Sequence, residues 1–305
     1  HMSAPGHIKV NPTERRRAFR ASLASGKIQK FPGAFSPLVA QLVEDLGSFD
    51  GVYVSGAALS ADMGLPDIGL TTLTEVATRS LHIQRQTSLP VFVDADTGFG
   101  EPLNLARTIE TLQGIGLVGC HIEDQVNPKR CGHLDNKGIV DTSTMVQRIR
   151  AAVDARTDDQ FVIMARTDAK ASEGIDSAIE RAKAYVDAGA DAIFPEALFT
   201  EAEFEQFRAA IDVPLLANMT EFGKSDLLSA STLEGLGYNM VIWPVTTLRI
   251  AMGAVERGLR VIADAGTQES LVPEMQTRAR LYELIDYEQY TQFDSNVFNF
   301  DLAKH

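Results

Sequence analysis

The chain has 305 residues with a net charge of -13, 45% hydrophobic and 23% charged residues, proportions of a soluble globular protein with room for a sizeable core. The acidic balance excludes a nucleic-acid surface, which needs clustered Lys and Arg. No apolar run reaches the length of a transmembrane helix, and two cysteines, Cys120 and Cys131, form no disulfide framework and suit a reducing cytosol.

His1-Met2 reads as an expression scar, outside any fold argument. Pro12 to Ala24 has helical spacing and a basic side carrying Arg15, Arg16, Arg17 and Arg20, which predicts an exposed surface helix. A regular alternation then begins. Apolar, β-rich runs fall at Ile28–Gly33, Gly51–Ser55, Pro90–Val93, Leu117–Ile122, Phe161–Ala165, Ala192–Phe194, Pro214–Ala217 and Met240–Trp243. Helical patterns follow them at Pro37–Leu46, Leu73–Gln86, Leu103–Ile115, Thr142–Ala155, Ser177–Ala188, Glu201–Ala210, Asp226–Leu233 and Thr247–Arg257. Continuously apolar strands are buried on both faces, as in a parallel sheet, and eight β–α units predict a single (β/α)8 TIM barrel over 1–305. A doubly wound open sheet is the alternative, weakened because no Gly-x-Gly-x-x-Gly turn follows the first strand. Residues 259–305 read as a helical C-terminal extension with a helix at Pro273–Leu284.

Barrel sites form at the C-terminal ends of the strands, so polar residues should follow the apolar runs. They do: Tyr53-Val54-Ser55-Gly56, Asp94-Ala95-Asp96, His121-Ile122-Glu123-Asp124, Arg166-Thr167-Asp168, Pro195-Glu196, Asn218-Met219-Thr220, and Pro244 leading to Arg249. Asp94 and Asp96 are two apart, so on an extended strand both carboxylates face one side. Two hard oxygens completed by waters and substrate suit Mg²⁺, with Glu123 and Asp124 on the next strand placed to orient metal waters. The plainer alternative is that one aspartate caps the following helix. Arg166, Arg249 and Arg278 are candidate carboxylate clamps, because a guanidinium matches a carboxylate with two parallel bonds; for each, an ordinary ion pair is the competing reading. Glu196 is placed to hold a neighbouring side chain or a substrate hydroxyl. The segment Asn127 to His133 is long for a βα loop. Its Cys131 stands among Lys129, Arg130, Gly132 and His133, a setting that lowers a thiol pKa and suits proton transfer near neutral pH. Against that stands a structural loop with an incidental cysteine.

The loop Lys129-Arg130-Cys131-Gly132-His133, together with Val93–Gly100, His121–Gln125 and Met164–Asp168, resembles the signature of the isocitrate lyase and phosphoenolpyruvate mutase superfamily. The resemblance runs from about Arg20 to Tyr287. The cysteine loop separates the lyases from the phosphonopyruvate-processing branches. Chain length and the ends Phe194–Glu196 and Asn218–Gly223 resemble the 2-methylisocitrate lyases, with Met219 where Ile is more usual and Ala57 where a second Gly is common. The resemblance implies cleavage of a small tricarboxylate, 2-methylisocitrate, to pyruvate and succinate in the methylcitrate cycle. Isocitrate lyase activity or cleavage of another 2-oxo acid is the alternative; a scaffolding barrel without catalysis would have lost one of Asp94, Asp96, Cys131 or Arg166.

It further implies Mg²⁺, with Mn²⁺ as a substitute, on Asp94 and Asp96, and Glu123 and Asp67 beside the metal. Tyr53 is implied as base and Cys131 as acid. Ser55, Gly56, Ala57, Gly132, Arg166, Glu196, Asn218, Met219, Thr220, Arg249 and Arg278 are implied around the substrate. A cytoplasmic homotetramer exchanging its last barrel helix between subunits completes the expectation.

Overall fold

The structure, a computed structural model, describes residues 5, 10–130 and 138–298. Among the described residues, eight parallel strands run β1 (Gln29–Pro32), β2 (Val52–Val54), β3 (Val91–Asp94), β4 (Gly119–Glu123), β5 (Val162–Thr167), β6 (Ala192–Pro195), β7 (Leu216–Asn218) and β8 (Met240–Trp243). All eight coincide with the expected runs, most of them trimmed or shifted by one to three residues. They pair in sheets of order β2-β3-β4-β5-β6 and β1-β8-β7. Single parallel bridges, Gly33 to Tyr53 and Ile193 to Leu215, lie between the sheets at β1/β2 and β6/β7. This is a TIM-barrel-like α/β fold.

Strand side chains divide by parity, as the two-residue repeat of a strand requires. Phe31, Tyr53, Phe92, Val162, Met164, Phe194, Met240 and Ile242 form an inner cluster, while Val52, Val54, Val93, Cys120, Ile163, Ala165, Ile193 and Val241 join the core beneath the helices.

The N-terminal helix Pro12–Leu23 corrects the expectation of an exposed basic face. It is capped by Asn11, whose side chain accepts from the Thr13 and Glu14 amides. Phe19 and Leu23 enter the inner cluster, and Phe19 packs its ring on Phe31 and Phe92. The arginines point the same way. Arg16 donates to the Leu117 and Gln113 carbonyls and to Asp158, Arg15 to the Thr87 carbonyl, and Arg20 to the Gln160 and Phe161 carbonyls. Leu117 and Phe161 lie just before β4 and β5, so the basic residues satisfy carbonyls at the N-terminal ends of the strands while the aromatic ring fills the interior.

Helices Gly56–Asp62, Ala169–Glu173 and Tyr287–Phe298 were not expected from sequence. The helix after β8 runs Thr246–Ala265, through position 259, and ends where Gly266 adopts a left-handed backbone (φ 68°). The expected helix Pro273–Leu284 is divided. A 3-10 turn at Glu269–Glu274 contains Pro273, and the α-helix starts only at Arg278, capped by Thr277.

Candidate active site

The C-terminal strand ends converge on a cavity of about 70 Å³. Ten of the expected site residues line it: Tyr53, Ser55, Ala57, Asp67, Asp94, Arg166, Glu196, Asn218, Thr220 and Arg249. Lys129, Arg130, Phe194, Ile242, Pro244 and Val245 also line it.

Below it, oxygen atoms of Asp94, Asp96 and Glu123 lie within 4.8 Å of one another, all three side chains buried. The local backbone makes this convergence. Asp96 takes a left-handed conformation (φ 52°) just past β3, and its amide donates to Asp94 Oδ1 at 2.8 Å. Ser55 caps helix Gly56–Asp62, bringing the Gly56 backbone against the carboxylates. A Cβ on Gly56 would stand 2.7 Å from Asp94 Oδ2 and 3.1 Å from Asp96 Oδ1, so only glycine fits.

The cluster is rich in negative charge. Asp67, Asp94, Asp96, Glu123, Asp168 and Glu196 surround two permanent cations, Lys129 and Arg166. Lys129 Nζ pairs with Asp67 Oδ1 at 2.5 Å and Asp96 Oδ1 at 2.6 Å. Arg166 holds Asp168 through two nitrogens, and its Nη2 lies 3.2 Å from Glu123 Oε2 and 3.4 Å from Glu196 Oε2. The carboxylates titrate apart as a result. Burial pushes Asp94 up, but His121, Lys129, Arg166 and the Asp96 amide hold it down to about 2. Burial, with Asp94 and Asp67 adding to it against Lys129, pushes Asp96 up to about 7. Burial also drives Glu123 well above the usual carboxylate range, against the pull of Arg166 and Lys129. Glu123 Oε1 is buried without a hydrogen-bond partner among the described residues. Three buried oxygen ligands, one of them with an orphaned atom, in a site short of positive charge fit a hard divalent cation.

Tyr53 Oη and His121 Nε2 are 2.7 Å apart, inside the cavity wall. Burial, reinforced by Asp94 and Glu196, pushes the phenol well above its ordinary value. Burial and Arg166 push His121 down to about 4, although Asp94 pulls it up. The pair is therefore a neutral phenol beside a neutral imidazole at ordinary pH. His121 Nδ1 has no hydrogen-bond partner among the described residues and sits 3.7 Å from Asp94 Oδ1.

Not every expected residue reaches the cavity. Met219 is buried in the outer core, its amide donating to the Ile242 carbonyl and its sulfur accepting from the Leu228 amide. Arg278 is exposed at the start of its helix and does not line this cavity. Asp124, expected to orient metal waters, is turned away from the carboxylates: it accepts from Thr167 Oγ1, the Asp168 amide and Tyr185 Oη. Cys131, Gly132 and His133 lie outside the described residues. Sequence reading gave no role to Lys129 as a counter-ion, to His121 as the partner of Tyr53, or to Asp168 as the partner of Arg166. The available signal was only that all three stand in strand-end or loop motifs. The last lining cation is Arg249, which donates to Thr220 Oγ1, the Glu221 carbonyl and Glu221 Oε1.

The parallel strands, the carboxylate cluster at their C-terminal ends and the arginine above it define an enzyme of TIM-barrel-like fold whose buried carboxylates could hold a metal ion. The sequence profile of the phosphoenolpyruvate phosphomutase family matches residues 19–263. The chain is 64% identical over 291 residues to the probable 2-methylisocitrate lyase 2 of Corynebacterium glutamicum, covering 95% of this chain and 94% of that one. The structure of oxaloacetate acetylhydrolase in complex with 3,3-difluorooxalacetate superposes with a TM-score of 0.89 at 31% identity, covering 96% of this chain and all of that one. Phosphonopyruvate hydrolase in complex with oxalate and Mg²⁺ superposes at 0.84 with 28% identity, covering 92% and 98%. The chain thus belongs to the phosphoenolpyruvate mutase and isocitrate lyase superfamily, and within it to the 2-methylisocitrate lyases.

Proposed function

We propose that the chain cleaves 2-methylisocitrate to pyruvate and succinate with Mg²⁺ held at Asp94 and Asp96 and bordered by Glu123 and Asp67. The observation that carries this reading is the near full-length identity to 2-methylisocitrate lyases combined with three buried carboxylates facing Arg166. A divalent ion held there, Mg²⁺ or Mn²⁺ in its place, would supply Lewis-acid chemistry that acidifies the substrate hydroxyl.

The chain's own residues supply the remainder. Ser55, Gly56 and Ala57 form the turn against one substrate carboxylate, and Arg249, Thr220 and Asn218 border another. Arg166 faces the negative charge that develops on the succinate fragment, where a preoriented guanidinium acts without reorganising. Tyr53 takes the hydroxyl proton. Its raised pKa keeps it a neutral phenol, so its own proton passes to the neutral His121 Nε2, 2.7 Å away, as the hydroxyl proton arrives. Cys131 protonates the carbanion on carbon, with Gly132 beside it. Met219 shapes the wall through its backbone, and Arg278 reaches a site only from a neighbouring subunit.

The strands close into a (β/α)8 barrel, supported by the two single bridges. The helix Thr246–Ala265 presents Ile250, Met252, Val255, Leu259 and Ile262 to solvent, which supports helix exchange in a homotetramer. A cytoplasmic setting fits the free, buried thiol of Cys120.

The test is incubation with Mg²⁺ and either 2-methylisocitrate or isocitrate, detecting pyruvate against glyoxylate. Pyruvate from the first substrate in large excess is expected, and Cys131→Ser removes nearly all turnover. Glyoxylate as the dominant product would assign the chain to isocitrate cleavage instead.

A further inference from the structure

We infer that Gln125 is a positioning residue that fixes the root of the Lys129–His133 loop to the carboxylate site; the inference rests on the lyase reading above. Gln125 is fully buried. Its Oε1 accepts from the Arg130 amide at 2.7 Å, and its Nε2 donates to the Arg130 carbonyl at 2.7 Å. The side-chain amide thus pairs with both main-chain groups of a single residue, the one peptide-bonded to Cys131. The same Nε2 lies 3.0 Å from Glu123 Oε2 and 3.3 Å from Asp168 Oδ1, the carboxylate that Arg166 grips.

A primary amide has two N–H groups, and here three acceptors face them. Whichever acceptor is engaged elsewhere releases a hydrogen to the others. The hold on Arg130 therefore depends on what Glu123 and Asp168 are bonded to, which links the state of the carboxylate site to the loop.

The base of this link is rigid. Arg148 donates to the Glu123 and Gln125 carbonyls, both at 3.1 Å. The Val126 amide donates to the Gly138 carbonyl and the Val140 amide to the Asp124 carbonyl, so a short antiparallel ladder closes the loop's stem around the Gln125–Ile139 bridge. With the main chain held on both sides, the Gln125 side chain is what sets the course of the chain at Arg130.

The test is Gln125→Met, which keeps the length and removes all four hydrogen bonds. Three quantities are read: kcat and KM with 2-methylisocitrate and Mg²⁺, the thermal midpoint, and the alkylation rate of Cys131 by iodoacetamide, with buried Cys120 as internal control. The expected result is a fall in kcat of about tenfold or more, a KM within about threefold, and a Cys131 alkylation rate changed by at least about threefold. Wild-type kcat, or an unchanged alkylation rate whatever happens to kcat, would overturn the inference, because simple loss of packing moves the midpoint without changing thiol reactivity. If Gln125→Met does not fold, Gln125→Asn, whose amide falls one methylene short of Arg130, carries the same expectations. If the wild-type protein itself shows no turnover, the lyase reading fails and the alkylation comparison alone decides the role of Gln125.

Discussion

Replacing Arg166 by Met is the sharpest probe of how the site is held together. The guanidinium is buried and stands 3.0 Å from Asp168, 3.2 Å from Glu123 and 3.4 Å from Glu196. At an effective dielectric of about 20, a unit pair near 3.2 Å is worth about 5 kcal/mol of attraction, much of it cancelled by the desolvation of both ions. Removing one member of a buried ion pair leaves that desolvation uncompensated, and the typical cost is about 3–5 kcal/mol. Arg166→Met should therefore lose about that much in urea unfolding at pH 8. Glu123, without its cation, then holds a proton more tightly in the folded than in the unfolded chain. Its folded pKa, already raised by burial, rises further, so the deficit grows as pH rises above the unfolded carboxylate range and shrinks toward pH 5. Turnover should fall by about 10²–10³, the usual loss when one preorganised donor to a developing anion is removed. A loss of under about 1 kcal/mol, or one equal at pH 5 and pH 8, would refute the charge-cluster argument.

Three further expectations follow from other parts of the molecule. Phe19→Ala empties the aromatic contact with Phe31 and Phe92 and should cost about 3–5 kcal/mol in chemical denaturation, leaving KM unchanged because the ring lies at the opposite end of the strands from the site. Tyr185→Phe removes the 2.7 Å bond to buried Asp124 and should cost about 1.5–3 kcal/mol; because Asp124 also holds the Asp168 amide, kcat should fall with it, and an unchanged kcat would uncouple that network from Arg166. Mg²⁺ at about a hundred times its dissociation constant should stabilise the wild type by about 2.7 kcal/mol, with EDTA reversing the gain; Asp94→Ala should show neither the gain nor activity, and a retained metal response would remove Asp94 from the metal site.

The strand ends were legible because a buried parallel barrel writes itself as apolar runs, and the residue after each run is one of the few places where polarity is tolerated. Asp94, Asp96, Glu123, Arg166 and Glu196 were all found that way. Asp124 shows the limit of that reading. It follows Glu123 directly, and two-residue alternation sends neighbours to opposite sides, so only one of the two can face the cavity. Glu123 joins the buried cluster with Asp94 and Asp96 below it, and Asp124 turns outward to Tyr185 and Thr167. Met219 fails for the same reason between Asn218 and Thr220. The N-terminal arginines were misread because a basic helical face looks solvated until the unpaired carbonyls at the strand starts are known. Those partners are five carbonyls in three distant segments, which no local pattern reveals.

The placement of Lys129 joins these observations to the chemistry. Six carboxylates around Lys129 and Arg166 leave the cluster below the cavity with an excess of negative charge, and burial, to which that excess adds, pushes Asp96 and Glu123 upward instead of letting them ionise at their ordinary pH. Lys129 relieves part of that excess from the loop side, and Asp67 and Asp96 bind the same ammonium. A divalent ion at Asp94 and Asp96 would compete for the oxygen that Lys129 now holds. An ion recruited by that negative charge would thus weaken the tie between the loop and the carboxylates, leaving the uncharged Gln125 clamp on Arg130 as a connection that metal binding would not contest directly.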